Sequence, residues 1–173
     1  MSLHISDYHA AERTFELLTQ AAGRAGRGEV PGEVVIQTYQ PEHYSIKTAK
    51  DQDYEAFYRQ EIEYRKMMLY PPVFHLLVIL CASKWEQRAS DGADELLHEI
   101  DGIQELKKKI FPIGPADPAI ARINDIYRKV IYLKAEDYQN LVFVKDRLEK
   151  FVRDNTDYKD IVVQFDFNPV NGF

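Results

Sequence analysis

The 173-residue sequence has a single cysteine, no long apolar run and no excess of positive charge, and each shortage excludes a class of protein. One cysteine excludes a disulfide framework and a cysteine-based zinc site within this chain, and it is typical of the reducing cytoplasm. The longest apolar run, residues 74–82, contains His75 and is far too short to cross a bilayer. The N-terminus lacks the layout of a signal peptide. We therefore expect a cytoplasmic protein, and the sequence implies no bound metal.

The charge balance argues against a nucleic-acid partner only at first sight. The chain has 22 Lys and Arg against 28 Asp and Glu, a net charge of −6. The entire excess lies in residues 85–106, where seven acidic residues accompany one arginine. The rest is neutral overall, so a DNA-binding surface elsewhere stays possible. Because 45% of the residues are hydrophobic, we expect a folded chain with a core.

Two helices and a strand are predicted within the first 72 residues. Helical spacing of apolar residues predicts a helix over residues 8–24 that ends in a glycine-rich loop. β-branched residues predict a strand over residues 33–39, which Pro41 closes. A 3.6-residue period over residues 53–69 predicts a connector helix that ends before Pro71.

From residue 73 onward the patterns predict the order β-α-β-β-α-β. One helix is predicted over residues 85–103, with Trp85 on its buried face, and Asp137 is the predicted N-cap of the other. The strands are predicted at residues 74–82, 109–113, 127–133 and 161–167. This order is that of the split βαβ, or ferredoxin-like, layout, in which two helices cover one face of an antiparallel sheet. The predicted class is therefore α+β.

The residues best suited to chemistry lie between Gln20 and Arg27, in the string Q-A-A-G-R-A-G-R. Arg24 follows Gly23, Arg27 also follows a glycine, and both guanidinium groups can reach one anion. The planar guanidinium matches phosphate oxygens and keeps its charge, which suits the stabilisation of a transferring phosphoryl group. The alternative is a glycine-capped helix end with arginines placed by the helix dipole. The number of fixed positions in the string favours the anion site.

A second candidate site is a basic and aromatic surface on the predicted strands. Residues 120–134 contain four basic residues and one acid, Asp125. Such a sheet face can follow a DNA backbone while a tyrosine stacks on a base. The alternative is a solvated strand with ordinary cross-strand aromatic pairs. The candidate DNA-binding residues are Arg122, Tyr127, Arg128, Lys129, Tyr132 and Lys134.

The string from Gln20 to Arg27 resembles motif VI of superfamily-2 helicases. Residues 11–27 resemble the version of that motif in the family of primosomal protein N′ (PriA), the bacterial replication-restart DNA helicases. The resemblance covers nearly the whole chain and is most specific in the first 72 residues. It continues through residues 31–39 and 41–44, Tyr54, Glu61, Arg65, residues 70–72, Gly114-Pro115 and Tyr127-Arg128.

The resemblance implies the C-terminal part of an ATP-dependent 3′-to-5′ helicase that acts at stalled forks and helps to reload the replicative helicase. Residues 1–50 would then end the second RecA-like motor lobe, and residues 51–72 would be a connector. Residues 73–173 would be a DNA-binding domain similar in shape to the tenth protein of the small ribosomal subunit. Arg24 and Arg27 would be catalytic groups that contact the nucleotide phosphates, and Gln20 and Gly23 would complete that cofactor-binding segment.

The other parts of a helicase motor are not in this sequence. It has no phosphate-binding loop of the G-x-x-x-x-G-K-[ST] type, no acidic Mg²⁺ motif in the right context and none of the paired cysteines that bind zinc in the family. We therefore expect ATP and Mg²⁺ in the full-length parent, and an inactive fragment that binds neither alone. The implied partners are forked or single-stranded DNA, other primosome proteins and single-stranded DNA-binding protein, but no membrane. The alternatives are a non-catalytic nucleic-acid-binding module and a protein-docking module that uses the acidic helix.

Overall fold

The structure is a computed structural model that describes residues 8–25 and 33–169. The chain divides into two compact units, Met1–Met68 and Leu69–Phe173, whereas the sequence analysis placed the corresponding boundary after residue 72. No helix in the described ranges is both long enough and apolar enough to span a bilayer.

The first unit contains the helices α1 (Ala10–Ala25), α2 (Tyr44–Lys50) and α3 (Tyr54–Met67). Their shared core is built on the rings of Phe15 and Phe57, which stack with centroids 4.3 Å apart. Helix α2 was not predicted, because its seven residues are too few to show a helical period. It begins at His43, whose Nδ1 accepts a hydrogen bond from the Ser45 backbone N–H at 3.3 Å.

The predicted strand over residues 33–39 is wrong. These residues have no regular secondary structure, and Val35 is 86% exposed. β-branched residues favour an extended chain, but a strand also needs backbone hydrogen bonds from a neighbouring strand. The described residues of the first unit include no strand that could provide them.

The second unit is an antiparallel sheet with two long helices, so its class is α+β as predicted. The elements are β1 (His75–Ser83), α4 (Glu86–Asp101), β2 (Ile110–Ala116), β3 (Arg122–Ile123), β4 (Ile126–Ala135), α5 (Tyr138–Asp154) and β5 (Ile161–Phe167). The sheet order is β2-β4-β1-β5, and the short strand β3 pairs with the outer part of β4. The predicted order of elements is found, with β3 as an addition.

Both long helices cover the same face of this sheet. Leu77 and Ile79 of β1 and Leu133 of β4 lie in one buried cluster with residues of both helices. Since successive side chains of a strand point to opposite faces, this cluster defines a helix-covered face and an opposite face. Cys81 belongs to the same cluster, and burial raises the pKa of its thiol to about 12. The helical members are Ala93, Leu96 and Ile100 of α4 and Leu141, Val144 and Leu148 of α5.

Candidate functional site

Helix α1 carries Gln20 and Arg24 of the predicted phosphate-binding motif on its exposed side. Its first half is anchored through buried residues that include Phe15 and Leu18. Gln20 and Arg24 are exposed and lie one turn apart, hence on the same side of the helix. They line an open cleft of about 740 Å³ along α1, whose lining residues are Phe15, Glu16, Thr19, Gln20, Gly23 and Arg24.

The lining of this cleft is suited to an anionic group. Arg24 provides a guanidinium, and Gln20 provides an amide that both donates and accepts hydrogen bonds. A Cβ atom at Gly23 would meet no heavy atom within 4 Å, so the space beside the arginine is open. Within the described residues, the Thr19 Oγ1 is a buried oxygen without a hydrogen-bond partner. The second motif arginine, Arg27, lies outside the described residues.

The cleft offers groups suited to an anion. The described ranges contain no group of three or more His, Cys, Asp or Glu residues placed to hold a cation. Arg24, Gln20 and Gly23 therefore offer positive charge, hydrogen bonding and space to a phosphate group. A Mg²⁺ ion and the rest of the nucleotide would require residues other than these.

Four of the candidate DNA-binding residues, Arg122, Tyr127, Arg128 and Lys129, lie in or next to the β3–β4 hairpin, residues 122–127. The turn residues Asn124 and Asp125 have φ angles of 48° and 61°, as a two-residue type I′ turn requires. Arg122 is in register with Tyr127, and its guanidinium carbon lies 4.8 Å from the centroid of the Tyr127 ring. Arg122 Nη2 also lies 2.6 Å from the Asp125 Oδ1. The hairpin therefore presents an aromatic ring with a cation above it, and that cation is already paired with a carboxylate.

The next two cations also have partners within the chain. Arg128 Nη1 donates a hydrogen bond to the carbonyl oxygen of Ile120 at 3.1 Å. Lys129 Nζ lies 2.6 Å from Asp117 Oδ1. A phosphate group must therefore compete with Asp117 for Lys129.

Lys134 does not have the exposure that a phosphate contact requires. It is 6% exposed, and its Nζ lies 3.8 Å from the centroid of the Tyr70 ring. Burial lowers the pKa of the Lys134 ammonium and raises that of the Tyr132 hydroxyl, which is half-buried in the same strand. Lys134 is therefore removed from the candidate DNA-binding surface.

The alternation of β4 also divides the predicted residues between two faces. Ile131 and Leu133 point towards the helices, so Lys129 and Tyr127, at the same spacing, lie on the helix-covered face. The positions of Arg128, Tyr132 and Lys134 fall on the opposite face. Arg122, Tyr127, Arg128 and Lys129 therefore lie near the hairpin end of the sheet, whereas Tyr132 and Lys134 lie further along β4, so the six residues do not form a stripe along one face.

Trp85 is a residue of this sheet end that sequence reasoning misplaced. It was expected on the buried face of its helix, but it is the N-cap of α4 and is 58% exposed. It follows Ser83, the last residue of β1, which is in register with Tyr127. The sequence signal for an exposed Trp85 was its place as the first residue of the apolar period, because a helix has not yet begun at that position. The chain's only tryptophan therefore lies just beyond the strand end that pairs with Tyr127.

Comparisons with known proteins identify the family of the chain. A family profile described as the primosomal protein N C-terminal domain matches residues 66–170. The chain is 39% identical over 169 residues to the replication restart protein PriA of Bacillus subtilis, covering 97% of this chain and 21% of that protein. It is 36% identical over 161 residues to PriA of Synechocystis, covering 93% and 19%. It is 33% identical over 169 residues to PriA of Treponema pallidum, covering 98% and 25%.

The chain spans about a fifth to a quarter of the length of these relatives. Most of its second unit lies within the matched range of the profile, residues 66–170. The chain therefore belongs to the PriA family of replication restart proteins, of which it represents the C-terminal region.

Proposed function

We propose that the chain is the C-terminal part of an ATP-dependent 3′-to-5′ DNA helicase for replication restart. In this proposal residues 1–50 complete the second motor lobe and contribute Arg24 and Arg27 to the nucleotide site. Residues 73–173 form a ferredoxin-like domain that binds forked or single-stranded DNA in the cytoplasm. Other primosome proteins and single-stranded DNA-binding protein are the expected protein partners.

The exposed edge of α1 is the observation that carries the motor assignment. Arg24 and Gln20 are exposed, and the space beside Gly23 is open. Packing within the described structure therefore does not explain why this position is a glycine. A helix end shaped only by capping gives no reason for an arginine and an amide to line one cleft. An exposed arginine is suited to charge that develops on a transferring phosphoryl group.

The motor assignment is tested by Arg24→Ala in the full-length parent. We expect ATP turnover to fall by about 10³-fold or more, because the loss of a transition-state arginine has effects on that scale. DNA binding should remain. The matched control is Arg59→Ala, which removes an exposed arginine of α3 that is paired with the exposed Glu55. Near-normal turnover in the Arg24 variant would contradict the assignment and favour the helix-cap interpretation.

The ferredoxin-like assignment and DNA binding of the second unit rest on separate observations. The sheet order β2-β4-β1-β5 with two helices on one face corresponds to the split βαβ arrangement. At one end of this sheet, the Tyr127 ring lies beside the guanidinium group of Arg122, and Trp85 comes just after the strand end that pairs with Tyr127. Aromatic stacking combined with backbone-following cations is the usual basis of sequence-tolerant binding to single strands.

The DNA-binding assignment is tested by the fluorescence of Trp85 in the 173-residue chain. We expect an oligothymidylate to quench this signal at low salt and to lose the effect as salt increases. Tyr127→Ala should weaken binding by about 1 to 3 kcal/mol if the ring stacks on a base, whereas Tyr39→Ala, at an exposed tyrosine of the first unit, should not. Absence of any binding at low salt would instead favour a protein-docking role, with the exposed acids of α4 as the surface to test.

A further inference from the structure

Three helices of the first unit are joined by a buried ionic network that has no role in the proposed function. Its centre is Arg65 of α3, which is 7% exposed, beside Glu61, which is 5% exposed. Arg65 Nε donates a hydrogen bond to Glu61 Oε1 at 2.6 Å, and its Nη2 donates one to Glu12 Oε2 of α1 at 2.8 Å. The Tyr44 hydroxyl of α2 donates to the other oxygen of Glu61 at 2.5 Å. The network therefore connects α1, α2 and α3.

The hydrogen bonds of this network pair both buried ionic groups of α3, the Arg65 guanidinium and the Glu61 carboxylate. Burial by itself would lower the pKa of Arg65, but the hydrogen bonds to Glu61 and Glu12 raise it overall, so the guanidinium stays charged. Burial and the hydrogen bond to Glu61 raise the pKa of Tyr44, so its hydroxyl remains a donor. A guanidinium presents its donors in a fixed planar fork, so its two partners are held at a defined angle. The network thus sets an orientation in addition to a distance.

The network contacts α1 at Glu12, near the end of the helix that is remote from the motif. Glu12 and Phe15 lie three residues apart on the side of α1 that faces α3. Glu12 precedes Arg24 by twelve residues, which is about 18 Å along the helix and about 120° around it. Arg24 therefore points away from α3, and a tilt of about 3° at the Glu12 end would move the Arg24 end by about 1 Å.

We propose that Arg65 is a positioning residue for motif VI, which holds α1 through Glu12 so that Arg24 meets the nucleotide phosphates in a fixed orientation. The inference rests on the proposed function and adds the group that controls the placement of its catalytic arginine. Misplacement by about 1 Å at a reacting centre costs on the order of 10²-fold in rate. Loss of the link between Arg65 and Glu12 should therefore affect the chemical step.

The test uses Glu12→Ala in the full-length parent. Glu12 is half-exposed, so its removal opens the link to α1 and leaves the buried pair of Arg65 and Glu61 in place. We expect kcat for ATP to fall by about 10- to 100-fold with KM for ATP nearly unchanged, because Arg24 acts in the transition state. Glu12→Gln keeps a hydrogen-bond acceptor and should restore most of the loss.

The matched control is Glu55→Ala, which opens the exposed pair of Glu55 and Arg59 on α3. The two side chains of this pair are 78% and 83% exposed, so the Glu55 variant should leave kcat unchanged. Arg65→Ala is a less useful variant, because it leaves a buried carboxylate without its cation and threatens folding.

A double variant separates positioning from a purely structural role. If Glu12 acts through Arg24, Glu12→Ala should have little further effect on kcat in a protein that already carries Arg24→Ala. An equal loss of kcat in both backgrounds would overturn the proposal, and so would an unchanged kcat in the Glu12 variant when Arg24→Ala alone abolishes turnover. If Arg24→Ala itself leaves turnover normal, the proposed function fails and not merely its positioning residue.

Discussion

Two carboxylates near the β3–β4 hairpin compete with DNA for its cations. Lys129 Nζ and Arg122 Nη2 each lie 2.6 Å from a carboxylate oxygen, of Asp117 and Asp125 respectively. The double replacement of Asp117 and Asp125 by Asn keeps the side-chain size and removes both charges. We expect the variant to bind single-stranded DNA more tightly than the unmodified chain, because neither cation must leave a carboxylate first.

The size of the effect follows from the exposure of the two pairs. Exposed ion pairs contribute about 0.2 to 1 kcal/mol each. Releasing two of them should strengthen binding by about 0.4 to 2 kcal/mol, or roughly 2- to 30-fold in Kd. With Lys134 buried, three cations remain, so the double-logarithmic salt slope of the variant should approach about −2 for a single strand. The unmodified chain should have a shallower slope.

The assay is a titration with an oligothymidylate at several salt concentrations, followed by the fluorescence of Trp85. The control replaces two exposed acids of α4, Asp94 and Asp101, by Asn and so makes the same change in net charge. Equal tightening in the control would mean that net charge alone is responsible. An unchanged affinity in the hairpin variant would show that Arg122 and Lys129 do not contact phosphates.

Three further predictions concern stability and reactivity. In a urea titration, Gly114→Ala should lower the free energy of unfolding by about 1 to 3 kcal/mol, because Gly114 has a φ of 114° and an added Cβ would lie 2.8 Å from the Val130 carbonyl oxygen. The control is Gly23→Ala, at a helical position in open space, which should be neutral or stabilising by up to about 1 kcal/mol. Burial lowers the pKa of His43, whereas the charge of Glu61 acts to raise it. The stability due to the neutral ring should therefore be present above the ordinary pKa of 6.5 and be lost as the pH falls through the lowered pKa. Thermal melts at several pH values should show this loss, and His43→Asn should abolish it. Cys81, buried and with its pKa raised to about 12, should react with a thiol reagent only when the chain unfolds.

The second unit was largely predictable because burial there follows the backbone period. The helical period of Leu141, Val144 and Leu148 predicts that these residues point inward from α5, and all three are buried. Asp137 was expected to cap this helix, and its carboxylate accepts a hydrogen bond from the Gln139 backbone N–H at 2.9 Å. Both inferences depend on residues within two turns of each other, so a single sequence contains the necessary information.

The errors occurred where the outcome depends on a distant partner. Val35 lies in a segment with the composition of a strand, but composition does not reveal whether another strand is present to pair with it. Lys134 was assigned to a DNA-binding face, and no local pattern indicates that the Tyr70 ring covers its ammonium. Trp85 fits the apolar period of α4, yet the helix begins one residue later. In the first two cases tertiary context overrides a correct local tendency, whereas the third is an error of one residue at a helix boundary.

The network around Arg65 also depends on a distant partner that the sequence does not reveal. The helical period over residues 53–69 includes Arg65, whose aliphatic stem can take an apolar position, and the position is indeed buried. Its pairing with Glu61 follows from a four-residue spacing, but Glu12 is 53 residues away and no spacing rule connects it to Arg65. A buried arginine must nevertheless have a compensating partner, since an unpaired charge is too costly in the interior. The sequence therefore indicates that Arg65 needs a carboxylate partner, and only the fold shows that Glu12, on the helix that carries the predicted motif, is one of its partners. The proposed catalytic motif is readable from a short string, whereas the group proposed to orient it is not.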